Sequence, residues 1–152
     1  YVGSIMQKIK NLNSKERKKI QKILDSRFDS DFKLNYEVFM NPKNKIFIIT
    51  KDISKIDLNE LRINSLGMYF GVLYENTIRL SIEGSEIVGK TAKKNFLELN
   101  DRDADLWMSG QDFEIDSNLS GFIIIKHNNY FLGCGKMVSG KLYNYVPKER
   151  RA

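Results

Sequence analysis

Residues 121–146 read GFIIIKHNNYFLGCGKMVSGKLYNYV, three runs rich in β-branched and aromatic residues interrupted by the pairs Asn128-Asn129 and Ser139-Gly140. Two-residue turns leave no room for a crossover, so strands joined this way run antiparallel. The same grammar occurs earlier. LGMYFGVLY and TIRLSI flank a turn at Glu75 and Asn76, and KLNYEVFM and KIFIIT flank NPKN, where Pro42 suits a turn. The pattern predicts a mainly antiparallel sheet that closes as a small barrel.

Between these hairpins lie helical signals. NLNSKERKKIQKILDSRF places Asn13 and Glu16 at capping-box spacing and Ile20, Ile23, Leu24 and Phe28 on one stripe, with a Lys/Arg face opposite. NDRDADLWMSG predicts a helix capped by Asn100 and ended by Gly110, preceded by a short strand at NFLEL. DISKIDLNELRIN predicts a short helix and marks a boundary between an α/β piece, residues 1–62, and a second domain, residues 63–152. The fold class is therefore α+β. The opening GSIM reads as a remnant of cloning ahead of Met6, and residues 1–5 are set aside.

A chain of 152 residues, 41% hydrophobic, buries roughly two thirds of its unfolded surface, enough for one core or two small ones in contact. No apolar run approaches the ~20 residues of a membrane helix, so no membrane partner is expected. The single cysteine, Cys134, excludes an internal disulfide and suits a reducing cytoplasm. The net charge of +6 is unevenly laid out. Residues 1–62 hold 14 Lys/Arg against 8 Asp/Glu, residues 95–118 hold seven acids and only Arg102, and residues 119–152 hold six bases and only Glu149. Such blocks make a bipolar surface whose basic pole suits phosphate, although a charge run is equally often a solvated face.

Gly84, Gly89, Lys90 and Thr91 complete G-x-x-x-x-G-K-[ST], the pattern of a phosphate-cradling loop. That loop belongs in a strand-loop-helix unit of a parallel sheet, with a carboxylate at the end of another apolar strand to hold the metal. Neither is evident here, since IFIITKD, ending in Asp52, reads as a hairpin arm. Glu86 would add negative charge beside the phosphates, and Ile87 and Val88 are β-branched where backbone must wrap an anion. Nucleotide hydrolysis is a remote alternative.

Other catalytic constellations are weaker. Asp101, Asp103 and Asp105 imitate a calcium loop, but Leu106 stands where Gly is needed and Asp112 where a bidentate Glu is needed; acids favoured in a helix's first turn explain them better. The only histidine, His127, ends a strand and has no second His to form a zinc pair. Cys134 reads as a packed thiol, and Trp107, on a stripe with Ala104 and Met108, as a core anchor. No catalytic residue, metal or cofactor is expected.

The segments INSLGMYFG, TIRLSIEGSEIVG and GFIIIKHNNYFLGCGKM, with the leading LNSKER helix, resemble the PUA superfamily of RNA-binding domains, preceded by the small α/β domain of Nip-type factors of large-subunit ribosome biogenesis. The tail KLYNYVPKERR is similar to the C-terminal PUA-like domain of Nol/Nop/Sun-type RNA cytosine-5 methyltransferases. The resemblance covers nearly the whole chain. It implies an α/β pre-PUA domain followed by a PUA-like, mainly antiparallel β-barrel with short helices, and an RNA cleft beside the first barrel helix. By that resemblance the Walker-like run is a barrel-to-helix junction, and a helix beginning beside bases serves an RNA phosphate.

The residues so indicated are Lys90, Lys93 and Lys94, and less directly Lys136, Lys141, Lys148, Arg150 and Arg151. Tyr143 and Tyr145 alternate on one face of KLYNYV and suit either base stacking or barrel packing. Lys15 and Lys18 are expected to be solvated surface. Methyltransfer is not implied, because that chemistry uses two cysteines and an adenosylmethionine domain. The expected function is non-catalytic binding of structured ribosomal or transfer RNA in RNA modification or ribosome biogenesis. The alternative is a protein adaptor for an RNA methyltransferase or a ribosome-assembly factor, docking through the acidic stretch 98–116 and the apolar hairpin near Phe47.

Overall fold

The computed structural model describes residues 9–49 and 67–151. The expected boundary at 62/63, the short helix over 52–64, Asp52 and the remnant at 1–5 lie outside the described residues. Helix α1 (Ser14–Phe28) begins where Asn13 Oδ1 accepts the Glu16 N–H at 2.9 Å and Glu16 Oε1 accepts the Asn13 N–H at 3.1 Å. This closes the capping box and satisfies two otherwise orphaned donors. Ile20, Leu24 and Phe28, successive turns apart, are buried, while Ile23 packs at their edge. The helix ends at Asp29, whose φ of 49° turns the chain out.

Sheet 1 is a meander of β1 (Lys10–Asn11), β2 (Glu37–Met40), β3 (Lys45–Ile49), β4 (Gly67–Leu73) and β5 (Ile78–Leu80), every neighbouring pair antiparallel. Asn41 shapes the β2–β3 turn, its Oδ1 accepting the Lys43 and Lys45 N–H groups at 3.0 and 2.9 Å. Helix α2 (Ile82–Gly89) follows directly, capped by Ser81 Oγ on the Gly84 N–H at 2.9 Å. The change from sheet 1 to sheet 2 comes between Leu80 and Phe96.

Sheet 2 comprises β6 (Phe96–Glu98), β7 (Phe113–Glu114), β8 (Gly121–His127), β9 (Tyr130–Val138) and β10 (Lys141–Tyr143), ordered β6-β8-β9-β10-β7. Its strands pair antiparallel except β6 with β8, which are parallel because helix α3 (Asp101–Met108) lies in the crossover between them. The predicted turns are present at Asn128-Asn129 and Ser139-Gly140; Asn128, Ser139 and Gly140 take φ of 54°, 49° and 81°.

The run FIII in β8 is buried on both faces. Phe122 and Ile124, with Cys134 of β9, join a first core that includes Ile20, Leu24, Ile48 and Phe70. Ile123 and Ile125, with Met137, join a second core around Trp107, Leu142 and Val146. Trp107 is fully buried and its Nε1–H donates to the Leu132 carbonyl at 2.9 Å. Its ring lies against Gly135, where a Cβ would stand 2.8 Å from it.

The class is α+β with mainly antiparallel pairing, as expected, but the described residues do not close the sheets into a full barrel. Among the described residues the outer strands β1 and β5 of sheet 1, and β6 and β7 of sheet 2, do not pair with one another. A barrel strand buries one face inward, whereas the β8–β9 hairpin buries both and is a middle layer between the two cores. The sheets therefore stay open. Among the described residues no helix is long and apolar enough to cross a membrane.

Candidate nucleic-acid interface

The Walker-like run is helix rather than loop. Gly84 and Gly89 both lie inside α2, and Lys90 is its C-terminal cap, 3.9 Å from Glu86. The N–H groups of Ser85 and Lys90, needed for a phosphate cradle, bond the carbonyls of Ser81 and Glu86. Thr91 Oγ1 lies 2.8 Å from Ser30 Oγ and accepts the Asp31 N–H at 2.9 Å, so the threonine ties the end of α2 to the exit of α1. The expectation of a helix beginning beside bases is corrected accordingly: Lys90, Lys93 and Lys94 follow the helix's C-terminus, where cations complement the negative dipole end.

The other indicated residues separate into distinct places. Lys93 Nζ is held by Asp31 Oδ1 at 3.1 Å and the Asp29 carbonyl at 3.2 Å. Lys94 instead lines a groove of about 590 Å³ with Lys19, Lys22 and Arg27 of α1. Lys148 and Arg150 lie in a short 3-10 turn, where Arg150 pairs with Glu83 at 3.1 Å and lines a second hollow of about 530 Å³ with Lys45, Arg79 and Tyr145. Arg151 donates from Nε to the Val146 carbonyl at 3.2 Å. Lys94 and Arg150 thus line different hollows.

Lys136, Lys141 and Tyr143 belong to a face of sheet 2 that adjoins the second hollow through Tyr145 and Arg79. The strand register sets Lys136 of β9 opposite Phe122 of β8 and Tyr143 of β10, which puts the three on one face. Phe122, 5% exposed, has Tyr74 stacked on it at 5.2 Å, Tyr145 edge-on at 5.8 Å and Lys136 Nζ 5.5 Å from its centroid. The Arg79 guanidinium lies 4.5 Å over Tyr145, and Lys141 Nζ 5.2 Å over Tyr143. Tyr74, Tyr143 and Tyr145 are 41%, 37% and 37% exposed. Flat aromatic surface interleaved with cations is what stacking of unpaired bases along a phosphate chain requires.

Sequence reasoning missed Tyr74, Arg79 and Phe122, which meet only when β4, β5 and β8 assemble. Lys19, Lys22 and Arg27 were visible as a helix face without any sign that the face was concave. Arg27 donates to the carbonyls of Ser120 and Phe122, tying α1 to β8, and burial holds its pKa below the usual arginine value.

Elsewhere the chemistry is structural. Burial pushes the Cys134 thiol up to about 12, the opposite of an activated nucleophile. His127 Nδ1 lies 2.8 Å from the Leu99 carbonyl and its Nε2 3.1 Å from Asp101, beside the start of α3. Asp101 and Asp103 occupy the first turn of α3. Among the described residues no three His, Cys, Asp or Glu side chains gather to hold a metal.

Two open sheets around a shared hairpin thus carry an exposed aromatic and cationic face, and the C-terminal part of the chain resembles a PUA-like domain. Residues 94–152 match the family model described as the methyltransferase RsmF PUA domain. The chain is also similar to the ribosomal RNA small subunit methyltransferase F of Aeromonas hydrophila subsp. hydrophila, 30% identical over 91 residues, which cover 59% of this chain and 19% of that protein. The namesakes from Vibrio parahaemolyticus and Vibrio vulnificus are 24% and 21% identical over 143 and 137 residues, each covering 90% of this chain. The chain spans only 30% and 29% of those two proteins. These likenesses fall on the second resemblance drawn from the sequence, that to the PUA-like domain of Sun-type RNA methyltransferases.

Proposed function

We propose that this chain is a non-catalytic module that binds structured ribosomal RNA in RNA modification. The observation that carries the reading is the row of Tyr74, Phe122, Tyr145 and Arg79 beside Lys136, Lys141 and Tyr143. Its exposed rings offer stacking to splayed bases, and its cations sit where the adjoining phosphates would pass. The names of the relatives, ribosomal RNA methyltransferases, favour ribosomal over transfer RNA as the ligand. A non-catalytic role is supported by Cys134, whose thiol is buried and held neutral. That lone free thiol also suits the cytoplasm.

The test is binding of a ribosomal RNA hairpin with an unpaired flank, against a homopolymer of equal length, by the wild type and by Tyr145→Ala. The hairpin should bind more tightly. Losing one stacking platform should weaken it roughly 5- to 150-fold, the equivalent of about 1–3 kcal/mol per stacked base. Lys93→Glu should cost less than Lys94→Glu, because Lys93 already serves Asp31. Absence of RNA binding at low salt would sink the proposal and leave a protein adaptor as the surviving reading.

A further inference from the structure

We infer that the groove between α1 and the approach to β6 is a second RNA-binding surface, one that takes phosphodiester backbone and continues the aromatic row. The inference rests on the RNA-binding reading above. Four cations converge there, Lys19, Lys22 and Arg27 from α1 and Lys94 from the segment before β6, with Glu75 the only acid in the lining. Lys19 and Lys22 are one turn apart, so both point to the same side of the helix.

Among the described residues Glu75 is the one acid lining the groove that offsets these four cations. Among the described residues the ion pairs engage Lys10, Lys90, Lys93, His127 and Arg150, and none engages Lys19, Lys22, Arg27 or Lys94. Arg27 is fixed by neutral carbonyl acceptors, which orient its guanidinium without neutralising it. The Asn95 side chain donates to the Arg27 carbonyl at 2.6 Å, so the two walls of the groove are joined. Like charges gathered in a concavity concentrate the potential and select a polyanion.

Continuity identifies the occupant. Tyr74 stacks on Phe122, whose carbonyl accepts from Arg27, and the next residue in the chain after Tyr74, Glu75, lines the groove. A strand with a base on the aromatic row therefore runs its backbone onto Lys94, Lys19 and Lys22. The footprint crosses both sheets.

The experiment measures affinity of the full chain for the flanked ribosomal RNA hairpin across a potassium chloride series. The variants are Lys19→Ala/Lys22→Ala/Lys94→Ala, Tyr145→Ala and the control Lys43→Ala, an exposed lysine of the β2–β3 turn, with circular dichroism checking that each folds. The triple variant should bind at least 10-fold more weakly near 0.1 M salt, and its log affinity against log salt should flatten by about 0.7 to 0.9 for each phosphate no longer neutralised. Tyr145→Ala should lower affinity with the slope kept, and Lys43→Ala should change neither. An unchanged slope in the triple variant, with Tyr145→Ala still weakened, overturns the groove and spares the RNA reading. Failure of the wild type to bind overturns both. Displacement of the RNA by a glutamate homopolymer at equal charge concentration also overturns the inference and makes the groove a docking site for an acidic protein.

Discussion

Gly84 illustrates how a motif residue takes its meaning from its neighbours. In a phosphate loop it would give the backbone freedom; in α2 it lets the helix press on the Phe70 carbonyl, which a Cβ would strike. Replacement by Ala within a helix ordinarily gains about 1 kcal/mol of propensity. Here the obstacle is backbone, so Gly84→Ala should instead destabilise by about 1–3 kcal/mol. At Gly89 the added methyl would stand 2.5 Å from the ring of Phe131, a half-buried side chain able to swing aside, and Gly89→Ala should cost less. Urea midpoints of the two variants decide the order.

Cys134 yields a pH dependence of definite sign. Its thiol is pushed up from 9.0 to about 12 in the folded chain, first by burial. Between those values the unfolded chain releases the proton and the folded chain keeps it, so the unfolded state binds fewer protons and stability falls as pH rises. Well below 9.0 the thiol contributes no slope. Thermal melts from about pH 8 to about pH 11 should show a steeper alkaline decline in the wild type than in Cys134→Ala, and the native thiol should resist alkylation at about pH 8 until the chain unfolds.

Among the elements, α1 connects local sequence to the proposed groove. Its capping box fixes where the helix starts, and the start sets which turn carries Lys19 and Lys22. Asn13→Ala removes the acceptor for the Glu16 N–H and should cost about 1 kcal/mol in chemical denaturation. RNA affinity should be unchanged while the protein remains folded, because burial of Ile20, Leu24 and Phe28 holds the rest of the helix in place. The hairpin β8–β9 has the complementary role. Its two-faced burial forces the layers to form around it, and the Lys136 end emerges beside Tyr74 and Tyr145 as the aromatic row.

The molecule as a whole should unfold as one unit. The first core joins α1 and sheet 1 to Phe122, Ile124 and Cys134, while the opposite face of the same strands forms the second core around Trp107. Neither core survives loss of the hairpin they share. Far-ultraviolet circular dichroism, dominated by α1, and the fluorescence of Trp107 should therefore report coincident denaturant transitions. Separate midpoints would show that the layers are independent.

The features legible in the chain alone lie within a few residues of each signal: the capping box of α1, the cap of α3, the two-residue turns of sheet 2, and the apolar stripe of Ile20, Leu24 and Phe28. These depend on backbone hydrogen bonds and dihedral preferences that act locally. The run FIII also carried its burial openly, but not which residues would face which core. Packing of the layers set the parallel pairing of β6 with β8, the openness of both sheets, the pairing of Lys93 with Asp31, and the meeting of Lys94 with Lys19 and Lys22. Each of these joins residues far apart in the chain, whose positions are set by how layers pack, and packing energy leaves no periodic trace in the local sequence.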